Sequence, residues 1–203
     1  MTKIALIGAS GNIGREIKRE ALARGFEVVG IVRNVEKLPE EPGLTPVAGD
    51  IGDPDHLATL LVGADTVVAS VKWTDNAAQL LEAVTKAGVS RLIVVVGAGS
   101  LDAAPGVKVI DTPEFPPAWK TGALGAFRAL DTFRAETKID WVAFSPSWTI
   151  APGERTGKFR IGGDQLLRDE KGESLISRED FAVAIVDEVE TKAHHRERIT
   201  VGY

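Results

Sequence analysis

The sequence predicts an α/β fold, a Rossmann-like parallel sheet with helices on both faces and a small C-terminal extension over the cleft. Two observations carry that expectation. From Ile4 to Phe144, short apolar runs rich in β-branched and aromatic residues alternate with stretches whose apolar residues recur at helical spacing. A glycine-rich segment, Gly8 to Gly14, joins the first such run to the first helical stretch. Strands that alternate with helices return in the same direction, so their sheet is mostly parallel and covered on both faces.

The strands are expected at Ile4–Ile7, Glu27–Val32, Thr66–Ser70, Leu92–Val96 and Trp141–Phe144, with a further short segment, Thr45 to Asp50. Helices are expected at Ile13–Arg24, His56–Leu61, Asn76–Ala87 and Ala123–Glu136. In the first helix Ile13, Ile17 and Leu22 form an inward face, and Gly25 just past Arg24 suits a left-handed cap. Beyond Pro146 come a Gly/Pro-rich stretch to Gly163, a hairpin around Lys158–Ile161 and a helix over Phe181–Lys192. Ser177 and Asp180 have the spacing of a capping box for that last helix. Residues 1–203 read as a single domain, with 146–203 supplying the extension.

Composition narrows the function. The 203 residues are 44% hydrophobic and 26% charged, enough to bury a core without staples. With no cysteine, disulfides, thiolate metal sites and cysteine nucleophiles are excluded. A net charge of -5 without a basic stripe argues against nucleic acid. No run is long enough to span a bilayer and no signal peptide is evident, so the expected location is cytoplasmic. The three histidines, His56, His194 and His195, lack ligand spacing, so no metal is expected. The charged residues near the C-terminus read as solvated surface. A monomer is expected, a homodimer being the alternative.

The loop Gly8-Ala9-Ser10-Gly11-Asn12-Ile13-Gly14 spaces its glycines as G-x-x-G-x-x-G between a strand and a helix. That arrangement turns backbone N–H groups and the positive helix end toward a pyrophosphate. At the end of the second strand stands Arg33, where an NAD-selective site carries an acidic residue for the ribose hydroxyls. A guanidinium there pairs with a 2′-phosphate, so the expected cofactor is NADP(H). Lys37 either assists or lies on the surface. Asp50 either accepts from the adenine amino group, with Ile51 against the ring, or caps a turn before Pro54.

Together the glycine loop, Arg33, Asp50-Ile51 and Gly97-Ala98-Gly99-Ser100 resemble the short-chain dehydrogenase/reductase superfamily. The chain is most similar to its atypical NAD(P)-binding branch, which includes NADPH-flavin reductase/biliverdin reductase-like and NmrA-like proteins. The resemblance covers nearly the whole chain, including Trp141 to Pro146 and Ile176 to Ala182. Active members of the wider superfamily use a Tyr-x-x-x-Lys pair on the helix after Ser100. The single tyrosine here is Tyr203, the last residue, so that pair is absent. Lys120 lies in the corresponding region, where it either reaches the nicotinamide ribose or is a solvated residue of the first helical turn.

Without a positioned acid, carbonyl reduction loses its proton donor, whereas a flavin or quinone needs mainly an aligned hydride source. By topology Ser70, Val71 and Gly97 flank the nicotinamide, with Ser145 near the same cleft. Ser100 either donates to a bound acceptor or caps a turn. Trp73, Trp119 and Trp148 are candidate walls for a small planar acceptor, the alternative for each being a core or lid residue. The loop from Asp111 to Trp119, stiffened by Pro113, Pro116 and Pro117, is a further wall. Three activities are compatible with this reading: hydride transfer from NADPH to a flavin, quinone or other planar acceptor; a non-catalytic NADP(H)-binding redox sensor or regulator; and an atypical carbonyl reductase or isomerase.

Overall fold

In the computed structural model, which describes residues 2–203, the chain runs through five α-helices and twelve strands. The strands are β1 (Lys3–Ile7), β2 (Glu27–Val32), β3 (Leu44–Ala48), β4 (Thr66–Ala69), β5 (Arg91–Val95), β6 (Asp102–Ala104), β7 (Val107–Lys108), β8 (Asp140–Pro146), β9 (Thr149–Ala151), β10 (Arg160–Gly162), β11 (Leu175–Ser177) and β12 (Glu197–Gly202). The helices are α1 (Gly14–Ala23), α2 (Pro54–Leu61), α3 (Ala77–Lys86), α4 (Lys120–Ala135) and α5 (Arg178–Thr191). No helix among the described residues is long and apolar enough to cross a membrane.

Eight strands form the main sheet in the order β10-β12-β8-β5-β4-β1-β2-β3, all parallel except β10, which runs antiparallel to β12. The order reverses between β1 and β4, and a doubly wound sheet opens its ligand crevice at that switch point. Alternation along each strand builds two cores. Ala5 and Ile7 of β1 face Leu57, Leu80, Val84 and Phe133 from α2, α3 and α4. Ile4 and Leu6 face the opposite way, against Ile17 of α1 and Phe181 and Ile185 of α5. Strands covered on both faces are apolar at consecutive positions, as the sequence is in Ile4–Ile7.

The expected helices and the first-half strands are all present, with Gly25 at φ +79° after α1. The C-terminal part differs in three ways. The hairpin expected around Lys158–Ile161 is not formed, because β10 pairs with β12, far along the chain, in the register Ile161 to Val201. The charged C-terminal segment is solvated only in part: Lys192, Arg196 and Glu197 are exposed, but β12 is a buried strand between β8 and β10, and Arg198 within it is enclosed and paired with Asp164. Residues after Pro146 therefore form an extension along the cleft through β9 and β11 and also return β10, β12 and α5 to the main sheet and its helical layer. α4 also begins at Lys120, one turn earlier than its apolar periodicity suggests.

The third difference is the capping box, which is only half made. Ser177 Oγ accepts from the Asp180 N–H at 2.9 Å, but the Asp180 carboxylate turns elsewhere. Its Oδ1 accepts from the N–H groups of Thr156 (2.8 Å) and Gly157 (2.7 Å), and its Oδ2 from the hydroxyls of Thr156 (2.5 Å) and Tyr203 (2.8 Å). Four donors tie α5, the 154–158 loop and the C-terminus to one buried carboxylate.

A second buried cluster closes the opposite end of the sheet from the crevice. Arg91 opens β5 and pairs with Glu188 of α5, and at 2.7 Å with Asp140, which opens β8. His194 Nδ1 lies 2.7 Å from Glu188 and His195 Nδ1 2.9 Å from Asp140. This arrangement accounts for two of the three histidines as fastenings of the turn between α5 and β12.

Burial pushes the Asp180 carboxyl upward, but the hydrogen bonds from Thr156, Gly157 and Tyr203 outweigh it and hold the group below its ordinary value. A carboxyl depressed in the folded state adds stability above the unfolded-state pKa, about 3.9 for Asp. That stability fades as pH falls through the lower folded value. Asp180→Asn is expected to cost about 2–4 kcal/mol at pH 7, since it removes the charge that receives the four donors. In urea melts the gap between variant and wild type should narrow between roughly pH 5 and pH 2; a gap independent of pH would assign the effect to packing.

Candidate functional site

The crevice is built by backbone approach. Gly8 ends β1 at φ +85°, and a Cβ there would lie 2.2 Å from the Ser70 carbonyl oxygen. A Cβ on Gly14 would lie 2.1 Å from the Gly8 carbonyl oxygen. Gly11 is less constrained, at 3.2 Å from that same oxygen, and its N–H donates to it at 2.9 Å. The turn is anchored to the sheet by Gly8 N–H to Ile31 O and Ser70 N–H to Ile7 O, both 2.9 Å. Among the described residues the amides of Asn12 and Ile13 take no backbone acceptor, so the first turn of α1 keeps donors for an anion.

A groove of about 740 Å³ runs over this turn. Gly8, Ser10, Gly11, Asn12 and Ile13 line its middle; Gly14 stands just behind, against Gly8. At one end are Arg33, Asp50 and Ile51. Arg33 is 86% exposed, with Nε 3.9 Å from Asp50 Oδ2, so its guanidinium is available to a ligand. Asp50 Oδ1 accepts from the Gly52 N–H at 2.8 Å, the turn-capping role, while the residue also walls the groove. Ile51 is buried beneath it. Lys37, in a turn of 3-10 helix at Val35–Lys37, is exposed and outside the groove.

At its other end the groove meets Ser70, Val71 and Val95 and continues into a second cavity of about 610 Å³. Gly97 and all three candidate tryptophans line that cavity. Trp73 is a buried wall: its Nε1 donates to Val95 O at 2.7 Å and its ring meets Phe133 edge-on at 5.3 Å. Trp148 meets Phe115 edge-on at 5.7 Å, and Trp119 is 59% exposed at the rim. Phe115 and Ala118 bring the proline-stiffened loop against the same space.

Three expected residues are not brought to the cavity surface. Ser100 is buried at the end of a 3-10 turn (Ala98–Ser100), where its Oγ accepts from Arg198 Nη1 at 2.9 Å. Lys120 is exposed at the first residue of α4, whereas its neighbours Trp119 and Thr121 line the cavity. Ser145 is fully buried in β8, and its Oγ donates to Gly97 O at 3.3 Å, so it supports a cavity residue from behind. The two hydroxyls are engaged inside the fold, Ser100 by Arg198 of β12 and Ser145 by the Gly97 carbonyl.

The structure adds residues that the sequence reading passed over. Lys72, Thr74 and Asn76 continue the wall begun by Ser70 and Val71. Gly125 lies inside α4, where a Cβ would be 2.1 Å from the Trp73 carbonyl oxygen. Glycine in a helix interior is disfavoured by about 1 kcal/mol, and that cost was the available signal of a close approach.

A strand-to-helix glycine turn at the switch point of a doubly wound sheet, leading from a phosphate-sized groove to an apolar cavity, defines a nicotinamide-dinucleotide protein of Rossmann type. The chain belongs to the NAD(P)H-binding family, whose model matches residues 8–192. As a member of that family it takes a nicotinamide dinucleotide, NAD(H) or NADP(H), as its ligand. It is 36% identical over 208 residues to the protein YwnB of Bacillus subtilis (strain 168), covering 98% of this chain and 97% of that one. Among solved structures, a proposed epimerase from Bacteroides thetaiotaomicron is similar at 41% identity and a TM-score of 0.95, covering 100% of this chain and 97% of that one. A proposed NADH-flavin reductase from Streptococcus pneumoniae TIGR4 is similar at 31% identity and a TM-score of 0.84, covering 100% and 99%.

The two glycines of α4 give a paired test of the close approach. Gly125→Ala is expected to destabilise the protein by about 1–3 kcal/mol, because the methyl group displaces the Trp73 backbone. Gly122→Ala, with nothing near its Cβ, is expected to stabilise by roughly 0.5–1 kcal/mol through helix propensity. Chemical denaturation of both variants checks the contrast, and equal effects would contradict it.

Proposed function

We propose that the protein is an NADPH-dependent oxidoreductase that passes hydride to a planar acceptor of the flavin or quinone class. The observation that carries the proposal is the cavity wall. Apart from Lys72 and the hydroxyls of Thr74, Thr121 and Ser147 it is apolar and aromatic, and among the described residues no carboxylate, imidazole or tyrosine hydroxyl lines it. Tyr203, the single tyrosine, is fastened to Asp180 and Ser177. Such a wall suits an acceptor whose own ring delocalises the incoming electrons. The tyrosine acid of the carbonyl-reducing members and a carboxylate or imidazole base for epimerisation are both missing from this wall among the described residues, so the cavity favours neither.

In this reading Gly8, Ser10, Gly11, Asn12, Ile13 and Gly14 seat the pyrophosphate, and Asp50 and Ile51 border the adenosine. Arg33 holds the 2′-phosphate. Val71, Ser70 and Gly97 border the nicotinamide, whose chemistry is to donate a hydride when bound. Trp73 is the fixed wall of the acceptor space, while Trp148 and Trp119 flatten the acceptor and exclude water. The similarity to a proposed flavin reductase supports the acceptor class. Arg33 favours NADPH over the NADH of that relative's name, because a guanidinium meets the extra phosphate with charge-assisted hydrogen bonds.

Purified protein is expected to oxidise NADPH in the presence of flavins or naphthoquinones, measured by the loss of nicotinamide absorbance. Arg33→Ala should raise the KM for NADPH about tenfold or more, the loss of a hydrogen bond to a charged group, and leave that for NADH nearly unchanged. Absence of acceptor-dependent oxidation across both classes would overturn the proposal.

A further inference from the structure

Among the described residues one ionisable side chain lines the cavity wall, Lys72, and it also borders the dinucleotide groove. Thr74, Thr121 and Ser147 are uncharged, and the remaining lining residues are apolar, aromatic or glycine. Among the described residues Lys72 makes no ion pair. The neighbouring carboxylate is already engaged: Asp75 accepts from Arg128 Nε at 2.5 Å and Nη2 at 3.3 Å, and that pairing holds its carboxyl below the ordinary range.

The backbone on either side of Lys72 is fixed although its side chain is exposed. Ser70 is bound to Ile7, Trp73 is bound through its indole to Val95, and its carbonyl is pressed against Gly125. Asn76 Oδ1 accepts from the Thr74 N–H at 3.2 Å. A cation on a rigid stretch of chain, with no internal partner, stands where the groove opens into the cavity. Proteins place charges against low-dielectric walls in this way where negative charge arises during reaction.

We propose that Lys72 is a catalytic residue, and that the acceptor it serves carries a ring oxygen or nitrogen that becomes anionic on reduction. This rests on the oxidoreductase reading above. The acceptor gains a hydride, two electrons and one proton, from NADPH, which leaves as NADP⁺; the acceptor becomes a monoanion. The Lys72 ammonium donates a hydrogen bond to the anionic atom as charge accumulates there. Water supplies the second proton, so that NADPH, one proton and the acceptor give NADP⁺ and the two-electron-reduced acceptor. The same ammonium selects, before any reaction, planar ligands that already carry a negative charge over neutral ones of equal shape.

Two measurements on the full-length protein test this. In steady-state assays Lys72→Met is expected to lower kcat on the order of 100-fold, the scale of losing one oxyanion donor. NADPH affinity should change less than about threefold, and Lys72→Arg should recover part of the rate because it keeps the charge. In the second measurement, quenching of tryptophan fluorescence reads binding of naphthoate and of uncharged naphthamide to the NADP⁺-saturated protein. Wild type should prefer naphthoate about tenfold, and Lys72→Met should erase the preference. Wild-type turnover with no loss in Lys72→Met, or a loss confined to NADPH affinity, would overturn the role of Lys72 alone. Equal binding of the two probes by wild type would do the same. A wild-type protein that reduces no acceptor would overturn the oxidoreductase reading and the catalytic role with it.

Discussion

Where β1 passes into α1, the chain comes so close to itself and to β4 that no side chain fits at Gly8 or Gly14. This approach sets the rest of the site. It seats α1 against the sheet with donors left over at its first turn, and it fixes Ser70 through the Ile7 carbonyl. Ser70 begins the segment that separates the dinucleotide groove from the neighbouring cavity. The far end of that segment is fixed by a second approach of the same kind, Gly125 against the Trp73 carbonyl. Backbone contacts without side chains thus define both edges of the opening through which groove and cavity communicate.

Packing elsewhere supplies the rigidity this geometry requires. Two apolar layers clamp the sheet, and a methylene in such a layer is worth about 0.8 kcal/mol. The polar groups that are buried sit away from the crevice or behind it. Arg91 and Glu188 close the end of the sheet opposite the crevice, while Arg198 holds both Asp164 and Ser100. Removing one partner of the enclosed Arg91–Glu188 pair costs far more than the pair itself contributes, because a charge is then left without compensation. The cavity wall, by contrast, is left nearly free of charge, which matches chemistry that the bound ligands themselves carry out.

The α/β architecture was legible because parallel strands buried on both faces leave unbroken apolar runs, and because glycine spacing at a tight turn is dictated by sterics. Arg33 and the glycine loop stand in one groove for that reason, their positions following from strand ends alone. The C-terminal third was less legible. β12 reads Glu-Arg-Ile-Thr-Val-Gly, and its charged start disguised a buried strand whose arginine is satisfied only by Asp164 and Ser100, both distant in sequence. Ser100 was misjudged through the same contact: nothing local announces that an arginine from β12 will occupy its hydroxyl. Lys72 was overlooked because an isolated lysine after a strand has the pattern of solvated surface, and only the lack of any other charge around the cavity distinguishes it.

The most direct test of the account is a crystal structure of the protein with NADP⁺ bound. The account predicts the pyrophosphate over the Gly8–Gly14 turn, the 2′-phosphate against the Arg33 guanidinium, and the nicotinamide at the opening between Val71, Val95 and Gly97, facing the tryptophan-lined cavity. A dinucleotide bound away from the glycine turn, or one whose nicotinamide lies at the Arg33 end, would contradict it.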